Sequence, residues 1–178
     1  MTIIIAGGGT GGHVFPALGI AQGFKNVDKN LNIIFVGTRE GLEAKIIPAN
    51  FFMIEFIKTT KIMKKGFIQL IKNIFKIFIN LIYCNRIINK YHPDLVFGVG
   101  GYASFPMVFV AALRRIKTAI HEQNSIPGLA NKILGKLVDK IDIASLIRDG
   151  DLVASEFFAK TSSQEEALNI YIKHLDGK

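Results

Sequence analysis

The sequence predicts an α/β protein built on a doubly wound parallel sheet. Two observations carry this prediction. Short apolar runs alternate with helix-length segments along the chain, and the first run leads into a glycine-rich loop that opens a helix. Repeated strand-helix-strand order is typical of parallel sheets whose crossover helices cover both faces. Ligands of such sheets bind beyond the carboxyl ends of the strands, so we expect the functional residues there.

Six apolar runs have the length and composition of strands buried on both faces. They are residues 3–6, 33–36, 51–57, 95–99, 118–121 and 140–144. The segments between them are long enough to be crossover helices. They are residues 14–27, 40–48, 66–91, 104–115 and 126–137. A chain of 178 residues suits one such domain and is too short for two ordinary ones.

The chain is basic, with a formal net charge of +8 and a pI near 9.6. This positive charge favours an anionic partner. Three classes of partner fit: nucleic acid, a phospholipid surface and a phosphorylated substrate. Trp is absent and Phe supplies most of the aromatic residues. The basic and aromatic stacking surface of an RNA-binding sheet is therefore not visible, and we expect no nucleic-acid partner.

The single cysteine, Cys84, lies among apolar residues. Its setting favours a buried, unreactive thiol over a nucleophile, and a lone cysteine excludes disulfides within the chain. Because the first predicted strand begins near Thr2, we expect no secretory leader and a cytosolic location.

Residues 58–90 form a basic segment that contains no Asp or Glu. Its basic residues are Lys58, Lys61, Lys64, Lys65, Lys72, Lys76, Arg86 and Lys90. No uncharged run within it is long enough for a membrane span. Two interpretations have equal weight: a core crossover helix with a solvated basic edge, or a basic amphipathic surface that rests on anionic lipid.

The first candidate site is the run GGGTGGH at positions 7–13. Glycines allow positive φ and let backbone N–H groups approach an anion, while the following helix directs its positive end to the same place. The spacing of Gly7, Gly9 and Gly12 also satisfies the dinucleotide fingerprint. A tight turn without a ligand is the simpler alternative.

Two further loops follow predicted strands. The run GVGGYAS at positions 98–104 repeats the glycine design, with Ser104 as the expected N-cap and Tyr102 at the rim. A structural turn with a packed tyrosine is the alternative. The run HEQN at positions 121–124 places four polar residues at a strand end, which is costly unless they meet a ligand or each other.

These three loops closely resemble the MurG family, bacterial transferases that add N-acetylglucosamine to lipid I to make lipid II. The matching motifs are GGTGGHVFPA at 8–17, GGYASFP at 100–106 and HEQNSIPGLANK at 121–132. They occur in the family's order and at its spacing, and the resemblance covers residues 1 to about 144. It implies a single Rossmann-like domain, the amino-terminal, acceptor-binding half of a GT-B glycosyltransferase.

The resemblance implies an inverting reaction, in which the 4-hydroxyl of the muramoyl sugar attacks C1 of the donor sugar and UDP leaves. His13 is the first candidate for the base because histidine titrates near neutral pH, and Glu122 is its rival. A His13 that only hydrogen-bonds the loop backbone is the alternative. No metal or cofactor is expected.

The resemblance also implies substrate-binding residues. The two glycine loops would hold the acceptor's diphosphate. The donor UDP-N-acetylglucosamine would border Thr10, Gly11 and Gly12 of the first glycine loop, and Asn124 would contact it too. Tyr102 and His121 look like positioning residues. The full set is Thr10, Gly11, Gly12, Gly100, Gly101, Tyr102, Ser104, His121, Gln123 and Asn124.

After residue 144 the sequence departs from the family's pattern. We expect an acceptor-binding domain at 1–144 and a divergent, helical tail at 145–178, in which SSQE at 162–165 spells a capping box. The family's linker and donor-binding domain are expected to be absent, so transfer by the chain alone is not expected. Two origins are compatible with a chain that carries only this half. It is a truncated or internally deleted gene product, or it is one subunit of a split transferase.

The main hypothesis is therefore an acceptor domain of a peptidoglycan-synthesising transferase, peripheral on the cytoplasmic face of the bacterial membrane. Its expected partners are UDP-N-acetylglucosamine, lipid I, an anionic membrane surface and, for a split enzyme, a separate donor-domain chain. A non-catalytic protein that binds lipid diphosphate or membrane needs the same loops and no donor half. An NAD(P)-binding module fits less well, because Gly37-Thr38-Arg39 stands where NAD needs an acid, although Arg39 suits a 2′-phosphate.

Overall fold

The computed structural model describes residues 1–58, 67–122 and 129–143. Strands and helices alternate along these residues, as predicted. The elements are β1 (Thr2–Ala6), α1 (Gly11–Val27), β2 (Asn32–Thr38), α2 (Glu43–Ala49), β3 (Met53–Ile57), α3 (Phe67–Tyr91), β4 (Leu95–Gly98), α4 (Ser104–Leu113), β5 (Lys117–Glu122), α5 (Leu129–Leu134) and β6 (Lys140–Ile143).

The described strands form one six-stranded sheet in the order β3-β2-β1-β4-β5-β6. Every neighbouring pair is parallel. The chain starts at the centre, builds outward through β2 and β3, and then returns to the other side of β1 with β4. The strand order therefore reverses between β1 and β4, which is the switch point where doubly wound sheets bind ligands.

Apolar layers cover both faces of the sheet. Successive side chains of a strand point to opposite faces, so Ile3 and Ile5 of β1 join the layer that contains α1. Ile4 joins the opposite layer with Ile88 of α3 and Met107 of α4. All three isoleucines of β1 are fully buried, as expected for a strand covered on both faces.

Several element ends differ from the prediction. Helix α1 begins at Gly11, because the first helical turn leaves its N–H groups unbonded within the helix and so tolerates two glycines there. Strand β3 begins only at Met53, since Phe51 adopts a left-handed φ of 63° in the turn after α2. Residues 126–128 at the predicted start of α5, and the tail predicted at 145–178, lie outside the described residues.

The described part of α3 contributes to the core. Cys84, Ile87 and Ile88 are buried in the layer shared with α4, as expected of a crossover helix. Lys61, Lys64 and Lys65 of the predicted basic segment lie outside the described residues. None of the helices that the structure describes combines the length and apolarity needed to cross a bilayer.

Candidate functional site

The first glycine loop connects β1 to α1 at the switch point. Gly7 donates its N–H to the carbonyl of Val36 at 3.0 Å, which ties the loop to the end of β2. Thr10 is the N-cap of α1, and its side chain makes no capping hydrogen bond. The first turn of α1 contains no acidic residue. The positive end of this helix is therefore not neutralised within its own first turn, which is the electrostatic setting of an anion site.

The second glycine loop connects β4 to α4 and lies against the first. Gly8 donates its N–H to the carbonyl of Gly100 at 3.3 Å. Gly101 adopts a φ of 82°, and a Cβ on Gly101 would collide with the carbonyl oxygen of Gly8. The two loops thus meet backbone to backbone, and the close approach requires glycine.

His13 lies at the junction of these loops. It belongs to the first turn of α1, yet its imidazole rests against Gly100 of the second loop. A Cβ on Gly100 would lie 2.8 Å from Cε1 and 2.9 Å from Nδ1 of His13. The side chain is half-buried, so its ring contacts protein on one side while part of it remains accessible.

Glu43, the first residue of α2, is a site residue that the sequence interpretation missed. Its side chain is buried beneath the first loop, and the residue is 2% exposed. Oε2 accepts the N–H of Gly9 at 2.6 Å. Oε1 accepts the N–H and the hydroxyl of Thr38, both at 2.8 Å. Three donors therefore hold this carboxylate, and it joins the ends of β1 and β2.

Glycines make room for the Glu43 carboxylate. A Cβ on Gly8, Gly37 or Gly41 would collide with the Glu43 side chain. A signal was present in the sequence: an acidic residue in the first turn of a helix, two residues after Gly41 and shortly after a buried strand. It was not sufficient to find the site, because Gly9 lies 34 residues away in the chain.

The predicted N-cap role of Ser104 is wrong. Ala103 is the N-cap of α4, and Ser104 is the first helical residue. Ser104 is 2% exposed, and its hydroxyl has no hydrogen-bond partner among the residues that the structure describes. A Cβ on Gly98 would lie 2.5 Å from this hydroxyl, so the side chain packs beneath the second loop. Its contact with substrate stays a prediction.

Two exposed aromatic side chains flank the glycine loops. Tyr102 is 56% exposed, in keeping with the predicted place at the rim. Phe15 is 61% exposed, and a Cβ on Gly11 would lie 3.2 Å from its ring. The sequence interpretation included Phe15 in a motif without giving it a role, because exposure cannot be distinguished from burial in a helix of mostly apolar residues.

The third predicted loop begins at the end of β5. His121 and Glu122 are buried there, and Oε2 of Glu122 accepts a hydrogen bond from Nδ2 of Asn131 at 2.9 Å. The polar residues at this strand end thus meet protein partners in part. Gln123 and Asn124 lie outside the described residues.

The single cysteine lies in the core, as the sequence predicts. Cys84 is fully buried, and burial raises the pKa of its thiol to about 12. The predicted burial is confirmed, and a thiol with this pKa is protonated at neutral pH, which favours an unreactive cysteine. Within the described ranges, no group of three His, Cys, Asp or Glu side chains is arranged to hold a metal ion.

The glycosyltransferase family 28 N-terminal domain matches residues 3–143 of the chain. A protein of Thermodesulfovibrio yellowstonii is 47% identical over 143 residues, which are 80% of this chain and 39% of that protein. It is named UDP-N-acetylglucosamine--N-acetylmuramyl-(pentapeptide) pyrophosphoryl-undecaprenol N-acetylglucosamine transferase. A protein of the same name from Carboxydothermus hydrogenoformans is 40% identical in an alignment 177 positions long, which covers 93% of this chain and 48% of that protein.

Solved structures share the fold. The MurG structure of Acinetobacter baumannii superposes with a TM-score of 0.70 at 26% identity, covering 85% of this chain and 43% of that one. A UDP-GlcNAc 2-epimerase of Methanocaldococcus jannaschii has a TM-score of 0.55 at 15% identity, over 80% of this chain and 39% of that one, and shows likeness of fold alone.

The chain spans about two fifths to one half of the length of these relatives. The match to MurG confirms the predicted family and the predicted architecture, the amino-terminal half of a GT-B glycosyltransferase. On the evidence of the match to residues 3–143, together with the relatives at 40% and 47% identity, the chain belongs to glycosyltransferase family 28, as a MurG-type amino-terminal domain.

Proposed function

We propose that this chain is the acceptor-binding domain of a MurG-type transferase that moves N-acetylglucosamine from UDP-N-acetylglucosamine to lipid I. The observation that carries the proposal is the meeting of two glycine loops at the switch point, with His13 lying against Gly100 between them. The acceptor named for the relatives is a muramyl pentapeptide on a lipid diphosphate, and a diphosphate is the anion that such loops suit.

The acceptor's diphosphate binds between the two loops. Strands β1 and β4 are neighbours, so the starts of α1 and α4 flank one anion site. Both helices direct their positive ends to it, and the first turn of neither contains an acidic residue. Gly100 and Gly101 provide close backbone approach on one side, and Gly11 and Gly12 provide it on the other.

His13 removes the proton of the attacking hydroxyl. The acceptor's 4-hydroxyl attacks C1 of the donor sugar with inversion, and the bond from C1 to the UDP oxygen breaks. The half-buried imidazole at the loop junction supports this role. Glu122 is the weaker candidate, since its residue is 4% exposed and its carboxylate accepts a hydrogen bond from Asn131.

The donor binds across a cleft from this domain. Thr10, Gly11, Gly12 and Asn124 border UDP-N-acetylglucosamine, with Gln123, His121 and Tyr102 nearby as positioning residues. Transfer also requires a donor-binding domain, either on a longer form of this chain or on a separate chain. The charge that develops on the leaving diphosphate is stabilised by protein dipoles.

The domain acts as a peripheral protein on the cytoplasmic face of the bacterial membrane. A net charge of +8 supports binding to anionic lipid, where each basic residue near the surface contributes about 1 kcal/mol. Changing Lys61, Lys64 and Lys65 to Glu is expected to release the chain from anionic vesicles in a sedimentation assay. If the variant still sediments with the vesicles, the basic segment that contains these three lysines does not bind the membrane.

Transfer and binding assays test the function together. The 178-residue chain is titrated with a fluorescent lipid I analogue, and labelled N-acetylglucosamine transfer is then measured with the chain alone and after addition of a separate MurG donor domain. Saturable binding and product only after mixing are expected. Product from the chain alone would refute the need for a donor domain, and absence of acceptor binding would refute the proposed function. Binding without transfer in either mixture would favour the non-catalytic lipid-diphosphate-binding alternative.

A further inference from the structure

A second recess lies at the same edge of the sheet as the glycine loops, beyond the ends of β2 and β3. It is a cavity of about 460 Å³. Its lining residues are Arg39, Glu40, Phe56, Ile57, Lys58 and Tyr83. Arg39 is the residue for which the sequence suggested an anion contact at the end of the second strand. The loops at the switch point do not line this cavity, so it is a separate recess.

Cations and aromatic rings are combined in and beside this cavity. The Arg39 guanidinium lies 4.7 Å from the ring centre of Phe56. Lys58 Nζ lies 5.6 Å from the ring centre of Tyr83, and the Arg86 guanidinium lies 5.9 Å from the same ring. The rings hold the cations in place at this recess without neutralising their charge.

The balance of charge favours an anionic ligand. Arg39 and Lys58 contribute two positive charges to the lining and Glu40 contributes one negative charge, a net of +1, with Arg86 close by. In the part of the chain that the structure describes, no ion pair is formed by Arg39, Lys58 or Arg86. Lys90 on the same helix as Arg86 differs, because it pairs with Glu55 at 2.7 Å.

Two contacts anchor strand ends beside the cavity. Nδ2 of Asn80 donates a hydrogen bond to the carbonyl of Lys58 at 2.9 Å, which ties the end of β3 to α3. Ile57 pairs with Thr38 in the parallel register of β2 and β3. The cations are therefore presented from anchored strand ends, an arrangement that reduces the entropy lost when a ligand binds.

The cavity is within reach of a peptide on the proposed acceptor. Neighbouring strands lie about 4.8 Å apart, so the step from the β1/β4 switch point to the β2/β3 ends is about 10 Å. Five extended residues span up to about 17 Å. A pentapeptide whose muramyl diphosphate sits at the glycine loops is long enough to place a carboxylate in the cavity.

We propose that this cavity binds a carboxylate of the acceptor's peptide, an inference that rests on the proposed function. Arg39 offers a planar guanidinium that suits bidentate contact with a carboxylate, and Lys58 offers a point charge. Phe56 and Tyr83 provide apolar surface for the peptide's neighbouring groups. The cavity thereby recognises the peptide of the acceptor, while the glycine loops bind the diphosphate that every acceptor shares.

Matched ligands test the proposal on the full 178-residue chain. Two fluorescent lipid I analogues differ only in that the peptide carboxylates are free in one and amidated in the other. The unchanged chain is expected to bind the free form about tenfold more tightly, which corresponds to roughly 1.4 kcal/mol. Arg39→Gln combined with Lys58→Gln is expected to bind both analogues with the affinity of the amidated one.

Controls separate the possible outcomes. Lys136→Gln removes an exposed charge near the opposite edge of the sheet and is expected to keep the tenfold preference. A double variant that keeps the preference, with an unfolding midpoint like that of the control, overturns the inference. A double variant that keeps the preference for free carboxylates but binds anionic vesicles more weakly also overturns the inference. In that case Arg39 and Lys58 bind lipid. If neither analogue binds the unchanged chain, the proposed function fails and this inference fails with it.

Discussion

The imidazole of His13 lies against the backbone of Gly100, so closely that a Cβ on Gly100 would be 2.8 Å from Cε1 and 2.9 Å from Nδ1. The two residues belong to different loops, and the pairing of β1 with β4 brings the loops together. Glycine at position 100 is therefore a condition for the position of His13. This relationship links the anion loops to the proposed base.

The contact between His13 and Gly100 predicts non-additive mutations. His13→Ala is expected to lower the transfer rate about 100-fold or more if the imidazole is the base. Gly100→Ala is expected to lower it as well, since the added methyl displaces the ring. The double variant is expected to lose less than the two single losses combined, because the part of the Gly100→Ala loss that comes from displacing the ring has no ring left to displace. Rates are measured in the mixture with a donor domain, and additive losses would show that Gly100 acts independently of His13.

The meeting of the two loops predicts different costs for two glycine substitutions with similar backbone strain. Gly9 and Gly101 have φ of 93° and 82°, so alanine at either position costs about 1–2 kcal/mol of conformational energy. A Cβ on Gly9 has no atom of the described part of the chain within 4 Å, whereas one on Gly101 collides with the Gly8 carbonyl. Urea unfolding should therefore show a larger loss for Gly101→Ala than for Gly9→Ala. Equal losses would mean that the loops separate readily.

Removal of the Glu43 side chain is expected to destabilise the fold. Glu43→Ala leaves the N–H of Gly9 and the N–H and hydroxyl of Thr38 without their acceptor, and a buried unsatisfied donor costs about 1–3 kcal/mol. We expect a loss of about 3 kcal/mol in the free energy of unfolding, together with weaker acceptor binding as the first loop loses its anchor. Lys45→Ala on the exposed side of α2 is the control and should stay within about 0.5 kcal/mol. A loss for Glu43→Ala no larger than this control would show that the buried carboxylate does not anchor the loop.

The ion pair on β3 predicts a small pH dependence of stability. Hydrogen bonds to the ionised carboxylate from Lys90 at 2.7 Å and Tyr91 at 2.6 Å hold the pKa of Glu55 below its ordinary value of 4.5. The contribution to stability is therefore complete above that value and is lost as pH falls through the lower folded-state pKa. Because the pair is partly exposed, Glu55→Gln is expected to cost less than about 1 kcal/mol at neutral pH. Denaturant midpoints measured through the acid range should fall less steeply for Glu55→Gln than for the unchanged chain.

The burial of Cys84 predicts slow alkylation. With its pKa raised to about 12 and its side chain enclosed by the α3 and α4 layer, the thiol is expected to resist iodoacetamide at pH 8 in the native protein and to react fully in denaturant. Mass spectrometry of the two samples gives the result. Rapid labelling of the native chain would contradict the packing of α3.

Local patterns were enough to predict the strands of the core and the two glycine loops. Three apolar residues in succession, Ile3, Ile4 and Ile5, are typical of a strand buried on both faces, and all three are fully buried. Ser104 shows the limit of such reasoning. Serine is a common N-cap, but the packing of Gly98 against its hydroxyl places the helix start one residue earlier.

The sequence by itself determined the doubly wound α/β class and the positions of the loops at strand ends, because apolar periodicity and the conformational demands of glycine act over a few neighbouring residues. It indicated the family through the resemblance of its three loop motifs. Only the tertiary structure decided that Glu43 anchors the loop at Gly9, that His13 touches Gly100, and that Arg39 and Lys58 share a cavity. These relationships depend on the strand order β3-β2-β1-β4, which sets residues far apart in the chain side by side. Burial and hydrogen bonding at such meeting points are properties of the packed sheet, and no local stretch of sequence contains them.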